Sequence, residues 1–259
     1  MTFPQLSTGA LSQFPIAKQM RMRTVVNAAS DGSSIKIADP AGETVGWQLQ
    51  YAGLSDSELS TLEQFFASAE GSLNAFTFVD PTANLFAQSD NLGDEAWIKD
   101  PALALLNEVS DPEGGTQAWR LTNSGLAVQQ ISQTLQAPGV YLYCLSAYVR
   151  SNSAGTVGMI IGDSQAARVV QQSWSRIVFA SDGDPTAAST SFGMSVPPGA
   201  SVDLYGVQCE AQASASAYKS SLASGVYENA RLGNDQLEVV SSGLNNHACT
   251  LNIVYVNHL

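Results

Sequence analysis

Histidine is nearly missing from this sequence: His247 and His258 are the two examples in 259 residues. A nucleophilic hydrolase needs a base held beside its nucleophile, and neither histidine has a Gly-x-Ser-x-Gly elbow or a cysteine partner to serve. Both read as surface side chains, His247 in a turn and His258 next to the C-terminus. Cysteine is scarce too. Cys144, Cys209 and Cys249 are three, an odd number and widely spaced, and the lack of any Cys-x-x-Cys or Cys/His cluster argues against a disulfide framework and a zinc site. Each lies in an alternating apolar run, so buried small-residue roles are expected for all three, in a reducing compartment.

Positive charge is short: 11 Lys and Arg stand against 23 Asp and Glu, a net charge of −12 that disfavours broad binding to nucleic acid or anionic membrane. No run approaches the roughly 18 apolar residues of a transmembrane helix, and the opening MTFPQLSTGA lacks a basic stretch followed by an apolar one. Neither membrane insertion nor a signal peptide is expected. Gly155, Gly158 and Gly162 lie in an apolar strand run without phosphate-loop spacing. Asp182 and Asp184 lie in a loop where solvation rather than calcium binding is the default, and the acids offer no identifiable glycosidase pair. The expectation is therefore no catalytic residue, no cofactor, no metal site and no enzyme activity.

The charge that is present is uneven. Lys18, Arg21, Arg23 and Lys36 face only Asp31 within the first 36 residues, which makes that segment +3 and leaves −15 for the remainder. A basic edge on an acidic body suits head-to-tail contact between copies, so Arg21 and Arg23 are candidate subunit-interface residues. A solvated strand face accounts for them equally well.

The most structured stretch is Tyr51 to Asn84. Ser55 and Glu58 have capping-box spacing, and Leu59, Leu62, Phe65, Phe66 and Ala69 share one helical face. Gly71 is expected to end the helix in the left-handed conformation, before a strand over residues 75–80 that stops at Pro81. Upstream, residues 18–28 alternate as a half-buried strand with a charged outer face. A turn at Asp31-Gly32-Ser33 leads to a second strand near Ser34 to Ala38, and a further turn at Asp39-Pro40-Ala41-Gly42 precedes a third containing Val45, Trp47, Leu49 and Tyr51. Together these make an α+β unit.

From about Asn84 the texture changes to short strands separated by Gly, Ser, Asn and Pro. They are expected near residues 118–122, 128–135, 141–150, 156–161, 174–180, 191–196 and 202–210, with a surface loop over 107–116, the signature of a β-sandwich or jelly roll. Strands at 236–240 and 249–256 return to the earlier style.

The order strand, L-x-x-x-E-x-x-x-L-x-x-F-F, glycine, F-T-F-x-D-P resembles the N-terminal domain of distal tail and minor tail proteins of long-tailed bacteriophages. Arg231, Asp235 and Leu237 fit the closing R-x-x-x-D-x-L of that domain. The segments Asn84 to Lys99, Tyr143 to Arg150, Trp174 to Arg176 and Leu204 to Tyr218 are similar to carbohydrate-binding-module-like jelly rolls. The fold class expected is thus mainly β with one principal helix: a discontinuous α+β tail-protein domain, 1–82 and 222–259, with an inserted β-sandwich (jelly roll), 83–221.

The resemblance implies a structural virion protein of the tail tip or baseplate, assembled in the host cytoplasm. Its partners would be further copies of itself in a hexameric ring, the tail tube, and hub or tip proteins. The sandwich would project outward toward host cell-surface glycan, and a glycan-binding adhesin without a ring is the alternative. Sugars bind on aromatic platforms with polar flanks. Among Trp97, Trp119, Tyr141, Tyr143, Trp174 and Tyr205, the residues Trp97 and Trp119 border loops and are the candidate glycan contacts. Trp174, Tyr143 and Tyr205 are expected to pack within the domain.

Overall fold

The computed structural model describes residues 1–257, so the reading of His258 lies outside the described residues. In chain order the elements are β1 (Ile16–Ala28), β2 (Ser34–Leu54), α1 (Asp56–Ala69), β3 (Phe76–Val79), β4 (Ile98–Lys99), β5 (Leu103–Val109), β6 (Ala118–Asn123), β7 (Gln129–Leu135) and β8 (Leu142–Arg150). They continue as β9 (Gly155–Ile161), β10 (Ser164–Val170), β11 (Ser175–Asp182), β12 (Thr190–Val196), β13 (Ser201–Glu210), β14 (Val226–Leu232), β15 (Val239–Gly243) and β16 (Asn246–Val256). The chain forms two compact units, one of Met1–Leu6, Ser12–Phe78 and everything from Tyr227 on, the other of Ser7–Leu11 and Val79–Val226. The fold is mainly β with one helix.

In the first unit a six-stranded sheet runs β1-β2-β16-β14-β3, with β15 paired to β16. Helix α1 begins at a complete capping box: Ser55 Oγ accepts from Glu58 N at 3.2 Å, and Glu58 Oε2 accepts from Ser55 N at 3.1 Å. Leu59, Leu62, Phe65 and Ala69 form its buried face. Phe65 packs on Phe3 and Phe76 with ring centroids 5.1 and 4.9 Å apart, and Trp47 meets Phe78 at 4.9 Å.

Glu70, not Gly71, is the first left-handed residue after the helix (φ 51°), and Gly71 follows at φ 62°. A Cβ at Gly71 would stand 2.6 Å from Asp235 Oδ1. That carboxylate accepts from Ser72 N and Ser72 Oγ at 2.7 and 2.6 Å, while Arg231 Nη1 donates to the Leu73 carbonyl. Arg231 and Asp235 thus clamp the loop behind the helix. His247 lies in β16 rather than in a turn, with Nε2 2.7 Å from Asp56 Oδ1 and Nδ1 2.8 Å from Ser241 Oγ.

Two expectations for the first strands are corrected. Strand β1 is exposed along nearly its whole length, because its only strand partner among the described residues is β2, and β16 joins β2 only between Thr44 and Leu54. Asp39 to Gly42 form no turn. Strand β2 runs straight through them, and the register steps from Arg21↔Thr44 to Arg23↔Asp39, so that Pro40 to Glu43 bulge opposite Met22. A bulge is where a strand tolerates a proline without an N–H.

The second unit is a β-sandwich of the jelly-roll kind, built from two five-stranded antiparallel sheets, β10-β9-β12-β7-β4 and β11-β8-β13-β6-β5. Phe86 packs on Trp97 at 4.8 Å and Tyr143 on Phe192 at 4.9 Å. The long segment of this unit starts and finishes at neighbouring points: Asp80 N donates to the Gly225 carbonyl at 2.8 Å, and Gly225 N to that of Leu85 at 3.3 Å. Cys144, Cys209 and Cys249 are buried free thiols.

Candidate functional site

Alternation along a strand sends successive side chains to opposite faces. In β8, Tyr143, Leu145, Ala147 and Val149 are buried in the core, so Tyr148 and Arg150 belong to the outer face of the β11-β8-β13-β6-β5 sheet. Cross-strand register builds two rows there. Arg176, Tyr148 and Tyr205 lie opposite one another on β11, β8 and β13, and Arg150, Asp203 and Arg120 do so on β8, β13 and β6.

The first row is aromatic. Tyr148 and Tyr205 have ring centroids 6.1 Å apart, and Tyr218, from the segment after β13, adds a third ring 5.6 Å beyond Tyr205. The Arg176 guanidinium stands 5.5 Å from the Tyr148 centroid. Tyr148, Trp174 and Tyr218 are half-buried around a small cluster of Val109, Ala118 and Tyr205. Burial, reinforced by the nearby charge of Glu113, pushes the Tyr205 hydroxyl up to about 12.

A β-bulge between Tyr205 and Gln208 places Gly206 at φ 62°, where a Cβ would stand 3.2 Å from Tyr218 Cγ and 3.3 Å from Tyr148 Cδ2. Glycine accommodates this left-handed backbone and spares both rings a tight contact. Tyr218 is fixed from both sides: Lys219 N donates to Gln208 Oε1 at 2.7 Å, and the phenol bonds to the Asp90 carboxylate and lies 2.9 Å from Ser89 Oγ.

The second row is ionic. Arg120 Nε and Nη2 donate to the two Asp203 oxygens at 2.7 and 3.0 Å, and Arg150 Nε to Oδ2 at 2.9 Å. Burial alone would raise the Asp203 carboxyl, but the hydrogen bonds and charges of the two arginines outweigh it and hold it below its ordinary value. Arg150 also stacks on Trp174 at 4.8 Å. The partly exposed rings of Tyr148, Trp174 and Tyr218 stand beside fixed polar groups, an arrangement that suits a ligand with both an apolar face and a hydroxyl rim.

Of the two expected glycan contacts, Trp97 is corrected: it is 2% exposed, packed against Phe86 with the rings tilted by 37°, and its Nε1 donates to the Gln88 carbonyl at 3.0 Å. Such a ring has no face left for a ligand. Trp119 is half-buried, donates to the Asp90 carbonyl at 2.9 Å, and lines a shallow recess of about 290 Å³ with Asp90, Asn91, Asn107, Glu108 and Gln117. Asp90 links this recess to Tyr218. Arg21 and Arg23 lie on exposed β1, and Arg23 Nε donates to Asp39 Oδ2 at 2.7 Å.

Tyr205 and Trp174 pack as expected, Tyr205 buried at 6% exposure and Trp174 half-buried beside the edge strand β11, whereas Tyr148, Tyr218, Arg150 and Arg176 were not among the expected contacts. The signal was there in Tyr148-x-Arg150, Trp174-x-Arg176 and Asp203-x-Tyr205: three pairs at the two-residue spacing that puts both members on one face of a strand.

Neither family models nor curated proteins gave a match to this chain. Among solved structures it is similar to the C-terminal family 22 carbohydrate binding module of Clostridium thermocellum Xyn10B, at 11% identity over 54% of this chain and 100% of that one, TM-score 0.41. It is similar to the CBM22-1-GH10 modules of the same xylanase complexed with xylohexaose, at 15% identity over 51% of this chain and 28% of that one, TM-score 0.38. A third is the enzymatically active domain of bacteriophage CBA120 tailspike protein 4, at 13% identity over 51% of this chain and 21% of that one, TM-score 0.35. The matched regions thus span well under half of the xylanase and tailspike chains.

Proposed function

We propose that the second unit binds carbohydrate on the outer face of the β11-β8-β13-β6-β5 sheet. The observation that carries this reading is the pair of half-exposed rings Tyr218 and Tyr148, which flank the buried Tyr205 at 5.6 and 6.1 Å. Trp174 extends it beyond Arg150. A surface glycan of a host cell is the expected partner. The test is affinity electrophoresis of the full chain through gels holding a panel of neutral and acidic polysaccharides. Retention by at least one polymer, abolished in Tyr148→Ala and Trp174→Ala at unchanged melting temperature, is the expected result. Free migration through the whole panel would overturn the reading.

A second reading, self-assembly through the first unit, is favoured by the β1–β2 arm. Met20, Met22, Val26, Ile35 and Ile37 are all more than half exposed on it, more apolar surface than a solvated ribbon needs. Lys18, Arg21, Arg23 and Lys36 make it basic in an otherwise acidic chain, which favours a second copy as its occupant. A tail-tip ring of the kind the sequence resemblance implies is the finer form of this reading. Native mass spectrometry should give an oligomer that Arg21→Glu with Arg23→Glu weakens. A monomeric wild type, or an unchanged oligomer in the double variant, would sink it.

A further inference from the structure

The carbohydrate reading leaves the class of sugar open, and the charges around the aromatic row narrow it. In a chain of net charge −12, the corner where β11 meets β8 gathers Arg150 and Arg176 around Trp174 and Tyr148. The carboxylate nearest this corner, Asp203, is already shared between Arg120 and Arg150. Glu210, further along the same face, is taken up by Gln208, Ser216 and Lys219. Arg176 donates to Ser146 Oγ at 2.9 Å and makes no ion pair among the described residues.

Two donors at this corner also lack acceptors: Trp174 Nε1 and Arg176 Nε are shielded from solvent without a hydrogen-bond partner. An unsatisfied N–H of this kind is costly to leave. Both side chains are themselves partly exposed, on the edge strand of their sheet or next to it, so a modest change of rotamer would offer either donor to an oxygen ligand. The far end of the row has the opposite character, with Asp90 against Tyr218 and Glu113 near Tyr205. A sugar lying along the row therefore meets acceptors at one end and surplus positive charge at the other.

Resting on the carbohydrate reading, we infer that the ligand is an acidic glycan whose carboxylate is received by Arg176 and Trp174 while its ring stacks on Tyr148. A uronate suits the site because a guanidinium is planar and matches a carboxylate in two-point fashion. A sulfate ester offers similar oxygens, so the experiment separates the two. Dissociation constants of the full chain are measured by calorimetry for polygalacturonate oligomers, for sulfated oligosaccharides of matched length, and for neutral galactan and xylan oligomers.

The expected result is tightest binding to the uronate, weakening as salt is raised, with a loss of about tenfold in Arg176→Gln and a smaller one in Arg176→Lys at unchanged melting temperature. Neutral oligomers bound as tightly as uronate, with Tyr148→Ala still abolishing binding, would overturn this inference and leave the carbohydrate reading standing. Preference for the sulfated series, or uronate binding indifferent to Arg176→Gln, would equally overturn it. Binding to none of the oligomers would remove both readings.

Discussion

A Cβ placed on Gly206 would stand 3.2 Å from Cγ of Tyr218, at a backbone φ of 62°. Gly206→Ala therefore meets two obstacles, the left-handed backbone and the rings on either side. It is expected to cost roughly 1–2 kcal/mol from the backbone alone, and to displace Tyr218 from Asp90. Urea unfolding gives the first quantity, and near-ultraviolet circular dichroism of the tyrosines reports the second. A variant with wild-type stability and spectrum would show that the bulge does not set the ring spacing.

Asp203 joins three strands through Arg120 and Arg150. Replacing it with Asn removes charge-assisted hydrogen bonds and is expected to cost about 1.5–3 kcal/mol at neutral pH. The folded carboxyl lies below its unfolded value, which is about 3.9 for a free aspartate. Its stabilisation is thus fully present above that pH and is lost as pH falls through the folded value. Stability against urea should fall below about pH 4 in the wild type, and more shallowly in Asp203→Asn.

All three thiols are buried, and burial pushes Cys144 and Cys249 up to about 11 and Cys209 well above its usual value. Since the thiolate is the reacting form, a thiol-specific chromogenic disulfide at pH 8 should label none of them in the native protein and all three in denaturant. Rapid labelling of any one before unfolding would contradict the packing around it.

The capping box at Ser55 and Glu58 holds the start of α1. Ser55→Ala is expected to lower stability by about 1 kcal/mol, and Ser55→Asp, which keeps an acceptor at the cap, by much less. Equal melting temperatures for Ser55→Ala and the wild type would show that tertiary packing alone sets the helix start.

Much of the fold is legible in the sequence where one local rule acts alone. The capped helix, the Asp31-Gly32-Ser33 hairpin and most sandwich strands follow from spacing and turn chemistry. Strand β10, SQAARVV, escapes because alanine and arginine favour helix as readily as strand. Asp39-Pro40-Ala41-Gly42 misleads because the same residues that build a turn also build a bulge, and only the register against β1 decides between them.

The site is less legible for a related reason. Trp97 and Trp119 both border loops, yet Phe86 covers the one while the other stays half exposed. Proximity to a loop says nothing about which ring a distant segment will cover. Pairing across strands, which puts Arg176 opposite Tyr148 and Tyr148 opposite Tyr205, joins residues far apart in the chain and is specified only by the assembled sheet.

Because Asp80 and Gly225 touch through their backbones, the 144 residues between them, counted from the numbering, enter and leave at one place, so insertions or deletions in their surface turns leave those two ends side by side.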